Sequence, residues 1–235
     1  MGKEEVKKAN GKFGMEVWED KIKSQGEVGV IRGTNSSLEE INNETSKFME
    51  LFDKEIAPMI KNKGKIIDLG VGAMARFSIE FAKRGYSVTG VDISPTTISL
   101  ANDYIKNAGQ DITLIQGDIT SLKIKDKQDF IFCYETFFHI PPELTLSSLK
   151  IFETLMYDDS LCLVQFGLRE KSFLKKIYGI VYWFGHSIKK IFSKTFKVNV
   201  SRFSEREIED LIEESGLYII KRYSDGIFLI GKVKQ

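Results

Sequence analysis

The strongest constraint on this chain is an alternation that begins after Lys63-Gly64, where short apolar runs and helical patterns follow one another. Ile66-Ile67-Asp68-Leu69, Tyr86 to Val91, Ile112 to Ile115, Asp129 to Tyr134 and Leu161 to Phe166 read as strands. Between them lie helical patterns over Phe77 to Lys83, from Pro95 through Asn107, and from Pro141-Pro142 onward. Proline fits the first turn of a helix, where its missing N–H is no loss. Strands alternating with helices at this spacing call for an α/β fold, a parallel sheet with helices on both faces.

Both ends depart from the alternation. Ser204-Glu205-Arg206-Glu207 has capping-box spacing and opens a helix that should end at Gly216. Leu217 to Ser224 and Ile227 to Val233 then read as strands joined by Asp225-Gly226, a strong short hairpin signal. The sheet should therefore finish with an antiparallel pair. At the other end residues 1–12 are polar, and residues 13–31 are mixed, with Trp18 their largest apolar side chain. A second capping box, Ser37-Leu38-Glu39-Glu40, precedes Ile41, Phe48, Leu51, Phe52 and Ile56 at helical intervals, which predicts a helix from about 37 to 61. The chain thus divides into an N-terminal helical extension or lid, 1–63, and a main domain, 64–235, with an unusual insertion at 169–202.

Composition narrows the class. With 42% hydrophobic and 11% aromatic residues, the chain is neither disordered nor fibrous. A net charge of +1 argues against binding DNA through overall charge. Cys133 and Cys162 sit in apolar runs and read as reduced core residues. The first residues lack the apolar core of a signal peptide, and no run approaches the roughly 18 apolar residues of a membrane span. These features lead to the expectation of a soluble, cytoplasmic protein. Asp158-Asp159, before the fifth strand, is a solvated turn pair without spaced partners, so no metal is expected.

The chemistry concentrates in Ile66-Ile67-Asp68-Leu69-Gly70-Val71-Gly72-Ala73-Met74-Ala75. Glycines just past a parallel strand let backbone approach a ligand at the carboxyl end of the sheet. Asp92 closes the second strand, where a carboxylate accepts both hydroxyls of a ribose. Gly70-x-Gly72-x-x-Ala75 matches the NAD fingerprint, and a nicotinamide-dependent oxidoreductase is one alternative. Asp68 weighs against it, because a pyrophosphate beside that loop repels a carboxylate. S-adenosylmethionine, with its sulfonium and α-amino group, is the ligand that Asp-x-Gly-x-Gly suits.

Residues 64–167 resemble a class I S-adenosylmethionine-dependent methyltransferase of the small-molecule type, and the terminal hairpin is similar to that family's last two strands. The resemblance implies a seven-stranded, mostly parallel sheet with the seventh strand inserted antiparallel. It implies that Asp68, Gly70 and Gly72 form the methionine-end loop, that Asp92 holds the ribose and that Ile93 belongs to the same cofactor site. Asp118 would take the exocyclic amine of adenine, and Ile119 would pack on the base. Tyr134 and Glu135 would line the place where the methyl is exposed, and His139 is similar to a histidine of small-molecule members. Met74 stands where the family's third glycine usually falls, so that the loop either bulges at Ala73-Met74 or turns Met74 away from the ligand. A non-catalytic binding module with a degenerate loop is the alternative that Met74 suggests.

The reaction implied is an in-line methyl transfer to oxygen, nitrogen or carbon of a small organic acceptor, with Glu135 or His139 as the candidate base. Trp18, Tyr182 and Trp183 are the candidate substrate contacts. The stretch 169–202 carries nine Lys or Arg against one acid, Glu170, around the aromatic-rich run Ile177 to Phe184. An active-site lid is its plainest reading. Contact of 177–197 with an anionic membrane, and so a lipid or lipid-linked acceptor, is an alternative, as is a basic surface for RNA or a phosphorylated substrate. Nothing in the sequence specifies an oligomeric state.

Overall fold

Seven strands form one sheet in the order β3-β2-β1-β4-β5-β9-β8. They are β1 (Lys65–Leu69), β2 (Ser87–Asp92), β3 (Thr113–Gln116), β4 (Gln128–Cys133), β5 (Met156–Gln165), β8 (Leu217–Arg222) and β9 (Ile227–Lys232). The computed structural model describes residues 14–24, 26, 37–169 and 200–233. β9 runs antiparallel to both β5 and β8, while β1 to β5 pair in parallel, so the inserted antiparallel strand is as expected. The reversal is made at Asp225 and Gly226, both with positive φ, and Tyr223 N–H closes the turn on Ile227 C=O at 2.8 Å. A left-handed residue at both central positions is what the Asp-Gly pair supplies.

Helix α1 (14–24) comes first in the chain, and helices α2 (Leu38–Leu51), α3 (Arg76–Lys83), α4 (Pro95–Asn107), α5 (Pro142–Leu155) and α6 (Glu205–Glu214) cover the sheet on both faces. Strand alternation sorts the core. Ile67, Leu69, Ile131 and Cys133 face the layer that holds Leu149 and Phe152 of α5 and Ile208 and Ile212 of α6. Ile66, Phe130 and Phe132 face the other way, against Met49 of α2, Phe52, Ile56, and Phe77 and Phe81 of α3. There the rings of Phe52, Phe81 and Phe130 meet edge-on or tilted, Phe77 meets Phe132 and Tyr134 edge-on, and Phe132 and Tyr134 stack. Fully burying Phe52 and Ile56 stabilises the fold by about 1.5–3 kcal/mol each, so the segment 38–59 belongs to this core.

Four local features differ from the sequence expectation. The helix expected to run to 61 ends at Leu51, and a π turn (Phe52–Ile56) and a 3-10 turn (Ala57–Met59) follow. Pro58 has no N–H to continue the ladder, and Ala57 N–H bonds Phe52 C=O instead. β5 begins at Met156, earlier than expected, because Met156 pairs with Gln128 before an irregularity that ends at Leu161. Asp158 and Asp159 lie inside that bulge, which Ser160 stitches by accepting from Tyr157 N–H and donating to Gln128 C=O. Finally, β6 (Gly167–Leu168) and β7 (Arg202–Phe203) form a two-residue parallel pair that brackets the insertion. Both cysteines are buried and free, on the paired strands β4 and β5.

No helix among the described residues is long and apolar enough to cross a membrane. Nor do those residues bring together three or more His, Cys, Asp or Glu side chains able to share a metal ion.

Candidate active site

The registers align the carboxyl ends of β1, β2 and β3, pairing Leu69 with Val91 and Asp92 with Gln116. Above these ends and that of β4 lies a cavity of about 540 Å³, within the ordinary range for a small-molecule site. The structure brings Trp18, Asp68, Gly70, Gly72, Asp92, Ile93, Asp118, Ile119, Tyr134, Glu135 and His139 to its walls. Tyr182 and Trp183 lie outside the described residues.

The turn from β1 into α3 forms the floor. Gly70 and Val71 both donate their N–H groups to Val91 C=O, at 2.8 and 3.0 Å. Gly70 has φ +91°, and a Cβ there would collide with Thr136 Oγ1, so the glycine is required for backbone shape and for close approach. Gly72 has φ +65° and would put a Cβ into open space. Met74 is buried and lines the cavity, and the left-handed residue next to it is Ala75, with φ +46°. Met74 itself does not have positive φ, so its backbone does not call for glycine. Met74 does not turn away from the cavity.

Two carboxylates sit beneath this loop. Asp68 is 3% exposed and accepts a 2.7 Å hydrogen bond from Ser78 Oγ of α3. Burial pushes its carboxyl up to about 7; the Ser78 bond opposes the shift, repulsion from Asp92 adds to it and Arg76 opposes it. Asp92 accepts from Ser94 N–H at 3.0 Å and from Gly72 N–H at 3.3 Å. Burial raises it to about 6 against the N–H groups of Ser94, Gly72 and Ile93, with repulsion from Glu19 adding to the rise. Asp118 Oδ1 accepts from both the N–H and the hydroxyl of Thr120 at 2.8 Å, the arrangement of a local turn, at the rim of the same cavity. Gly117 N–H bonds Asp92 C=O at 2.9 Å and ties that turn to the end of β2.

The opposite end of the cavity is aromatic and ionic. Glu135 has φ +56°, a strained conformation for a side-chain-bearing residue. Its N–H donates to Gln165 Oε1 at 3.1 Å, and its carboxylate accepts from Arg76 at 2.7 Å. The other Arg76 nitrogen reaches Glu44 at 3.1 Å and Thr45 Oγ1 at 3.3 Å, and the guanidinium lies over the Phe77 ring. Tyr134 O–H donates to Glu44 at 3.4 Å, and burial moves the phenol well above its usual range. His139 closes a 3-10 turn (Phe137–His139), with its ring 5.0 Å from Trp18 and 4.4 Å from Phe138. Lys21 stands over Trp18 at 4.7 Å, its pKa lowered by burial against the pull of Glu135.

Arg76, Gln165, Glu44, Lys21 and Glu19 are site residues that sequence reasoning missed. Arg76 did leave a signal. It opens α3, where the positive end of the helix dipole disfavours a cation, so an arginine there calls for a specific partner. Gln165, Glu44, Lys21 and Glu19 left none, because their roles depend on partners distant in sequence.

Residues 66–155 match a protein family described as a methyltransferase domain. Among curated proteins no sequence matches the chain. Solved structures do. An S-adenosylmethionine-dependent methyltransferase from Methanosarcina mazei is 20% identical, with TM-score 0.62 over 77% of this chain and 98% of that one. Magnesium protoporphyrin IX methyltransferase from Synechocystis, with bound S-adenosylmethionine, is 17% identical, with TM-score 0.64 over 93% and 97%. A 1,6-didemethyltoxoflavin-N1-methyltransferase from Burkholderia thailandensis is 13% identical, with TM-score 0.54 over 83% and 87%. At these identities the likeness is one of fold.

Proposed function

With a methyltransferase domain over residues 66–155, set in the class I S-adenosylmethionine-dependent fold, we propose that this protein transfers a methyl group from S-adenosylmethionine to a small organic acceptor. One observation carries the reading: two carboxylates, the buried Asp68 and the half-buried Asp92, stand at the carboxyl ends of adjacent strands beneath one cavity, and Gly72 N–H donates to the second of them. A buried carboxylate pushed up to about 7 favours a cation beside it, and the α-amino group of S-adenosylmethionine is one. Both oxygens of Asp92 accept backbone N–H groups, Oδ1 from Ser94 and Oδ2 from Gly72, and a carboxylate has further lone pairs for ribose hydroxyls. The open space at Gly72 leaves room for a ligand against the backbone. Asp68 opposes the pyrophosphate of NAD, which argues against the oxidoreductase alternative.

When bound, the cofactor supplies an electrophilic methyl. The chain aligns and shields the reactants. Asp68 holds the charged end and Asp92 the ribose, while Ile93 and Ile119 flank the base and Asp118 lies at its rim. Tyr134 and Trp18 exclude water from the acceptor end. His139, in the cavity between Trp18 and Phe138, is the better candidate for accepting the acceptor's proton. Glu135 is the weaker one, because its carboxylate is already engaged by Arg76 at 2.7 Å. The neighbours of like fold named for their substrates, magnesium protoporphyrin IX and 1,6-didemethyltoxoflavin methyltransferases, support a small-molecule acceptor.

Calorimetric titration with S-adenosylmethionine, its demethylated product and NAD, on the wild type and on Asp92→Ala, tests this reading. Micromolar binding of the first two, lost in the variant, is expected; binding of NAD alone, or of nothing, overturns the assignment. The lipid-acceptor alternative rests on 177–197, outside the described residues. It requires salt-dependent sedimentation with anionic liposomes that is lost when Trp183 and Phe184 are replaced.

A further inference from the structure

α1 lies across the mouth of the cavity, and its sequence explains only part of why it rests there. Trp18 packs edge-on against His139 at the acceptor end, while Gly14 faces Ile93 at the ribose end. Glu19, next to Trp18, makes three hydrogen bonds to the start of α4. One carboxylate oxygen accepts from Ser94 Oγ at 2.5 Å and Thr96 N–H at 3.0 Å, and the other from Thr96 Oγ1 at 2.6 Å. Partial burial would raise the Glu19 carboxyl, but these bonds and Lys23 hold it down to about 2. Its side chain is only 15% exposed. Ser94 in turn caps α4 through Thr97 N–H and donates its own N–H to Asp92. Glu19 is therefore two hydrogen bonds from the ribose carboxylate and one residue from Trp18.

We propose that Glu19 is a positioning residue that docks α1 onto the β2–α4 turn, so that occupation of the cofactor site and placement of Trp18 and Lys21 at the acceptor end are one coupled equilibrium. The inference rests on the methyl-transfer reading for the identity of the cofactor. Its physical content is that the Ser94–Thr96 turn is shared. A ligand that orders this turn through Asp92 presents Glu19 with donors already in place, and a docked Glu19 presents the ligand with an ordered Asp92. Such coupling is reciprocal, so removing Glu19 must weaken the cofactor and expose Trp18 together.

Trp18 and Trp183 are the two tryptophans of the chain, so Trp183→Phe leaves Trp18 as the only indole reporter. In that background, acrylamide quenching of Trp18 is measured with and without S-adenosylhomocysteine, and the binding of S-adenosylhomocysteine is measured by calorimetry. The ligand should protect Trp18. Glu19→Ala should raise quenching in the free protein to near that of an exposed indole and weaken S-adenosylhomocysteine by about tenfold, within the range for coupled sites. Glu19→Gln, which keeps an acceptor oxygen, should recover part of both effects. Thr96→Val, which removes one donor from the other side, should act in the same direction and add little on top of Glu19→Ala. Both readouts staying within twofold of the parent overturns the proposal. So does weaker binding with Trp18 still protected, which would leave Glu19 acting on the turn alone. If the parent protein fails to bind S-adenosylhomocysteine, the cofactor reading and the coupling fall together, while unchanged quenching in Glu19→Ala with normal binding removes the docking role alone.

Discussion

The glycine loop makes two opposite predictions at neighbouring positions. At Gly70 an alanine meets two penalties. Its φ of +91° costs an L-residue about 1–2 kcal/mol. Its Cβ would also fall against Thr136 Oγ1 and Cγ2 and 2.7 Å from Thr136 Cβ, an overlap with an expected cost of about 1–3 kcal/mol. Thr136 cannot step aside freely, since its hydroxyl donates to Tyr134 C=O at 3.2 Å. Gly70→Ala should therefore lose about 2–5 kcal/mol of stability. Gly72→Ala meets only the backbone penalty of about 1–2 kcal/mol, because nothing lies within 4 Å of its Cβ. Gly72 lines the cavity, however, so its added methyl should weaken S-adenosylhomocysteine by about tenfold or more, equivalent to about 1.4 kcal/mol. Urea unfolding midpoints at constant slope give the first quantity and calorimetry the second. Adding Thr136→Gly to Gly70→Ala should recover the overlap penalty and leave the backbone penalty. Equal destabilisation by the two alanines, or no recovery with Thr136→Gly, would refute the reasoning.

Other consequences are directly measurable. Asp68 and Asp92 have folded values of about 7 and about 6 against an ordinary 3.8. Between these limits the native state binds more protons than the unfolded one, so their contribution to stability falls as pH rises. Urea midpoints of the ligand-free protein should show a loss on the order of 6 kcal/mol from this source between about pH 4 and pH 7, and Asp68→Asn should remove about half of it; an unchanged profile in that variant counts against a buried, proton-binding Asp68. Arg76→Gln leaves Glu44 and Glu135 without their shared cation. It should cost about 3 kcal/mol in urea unfolding, and a loss of under 1 kcal/mol would mean that the pairs are solvated. Ser204→Ala removes the hydroxyl of the α6 capping box and should lower stability by about 1 kcal/mol, read as a drop in melting temperature of about 2–4 °C.

Where structure depends on neighbours in the chain, the residues state it openly. α4 begins at Pro95 because a proline fits the first turn and Ser94 caps it. Both capping boxes form, since serine and glutamate three apart satisfy each other's backbone partner. Asp225-Gly226 turns the chain because both residues tolerate positive φ. The order of strand and helix implied the parallel sheet, and Asp68, Gly70, Gly72 and Asp92 stood at strand ends where such a sheet binds ligands.

Tertiary structure alone decided the rest. That Asp68 is buried against Ser78, and so has a raised pKa, follows from α3 packing over β1. That Glu135 is held by an ion pair follows from Arg76, 59 residues earlier, arriving beside it with Glu44. The left-handed conformation of Ala75, the π turn before Pro58 and the bulge at Asp158-Asp159 could not be read from local pattern. Glu19 meets Ser94 and Thr96 across more than 70 positions of sequence. Local pattern encodes period, capping and turn conformation; desolvation and charge pairing belong to groups that meet only after the chain has folded.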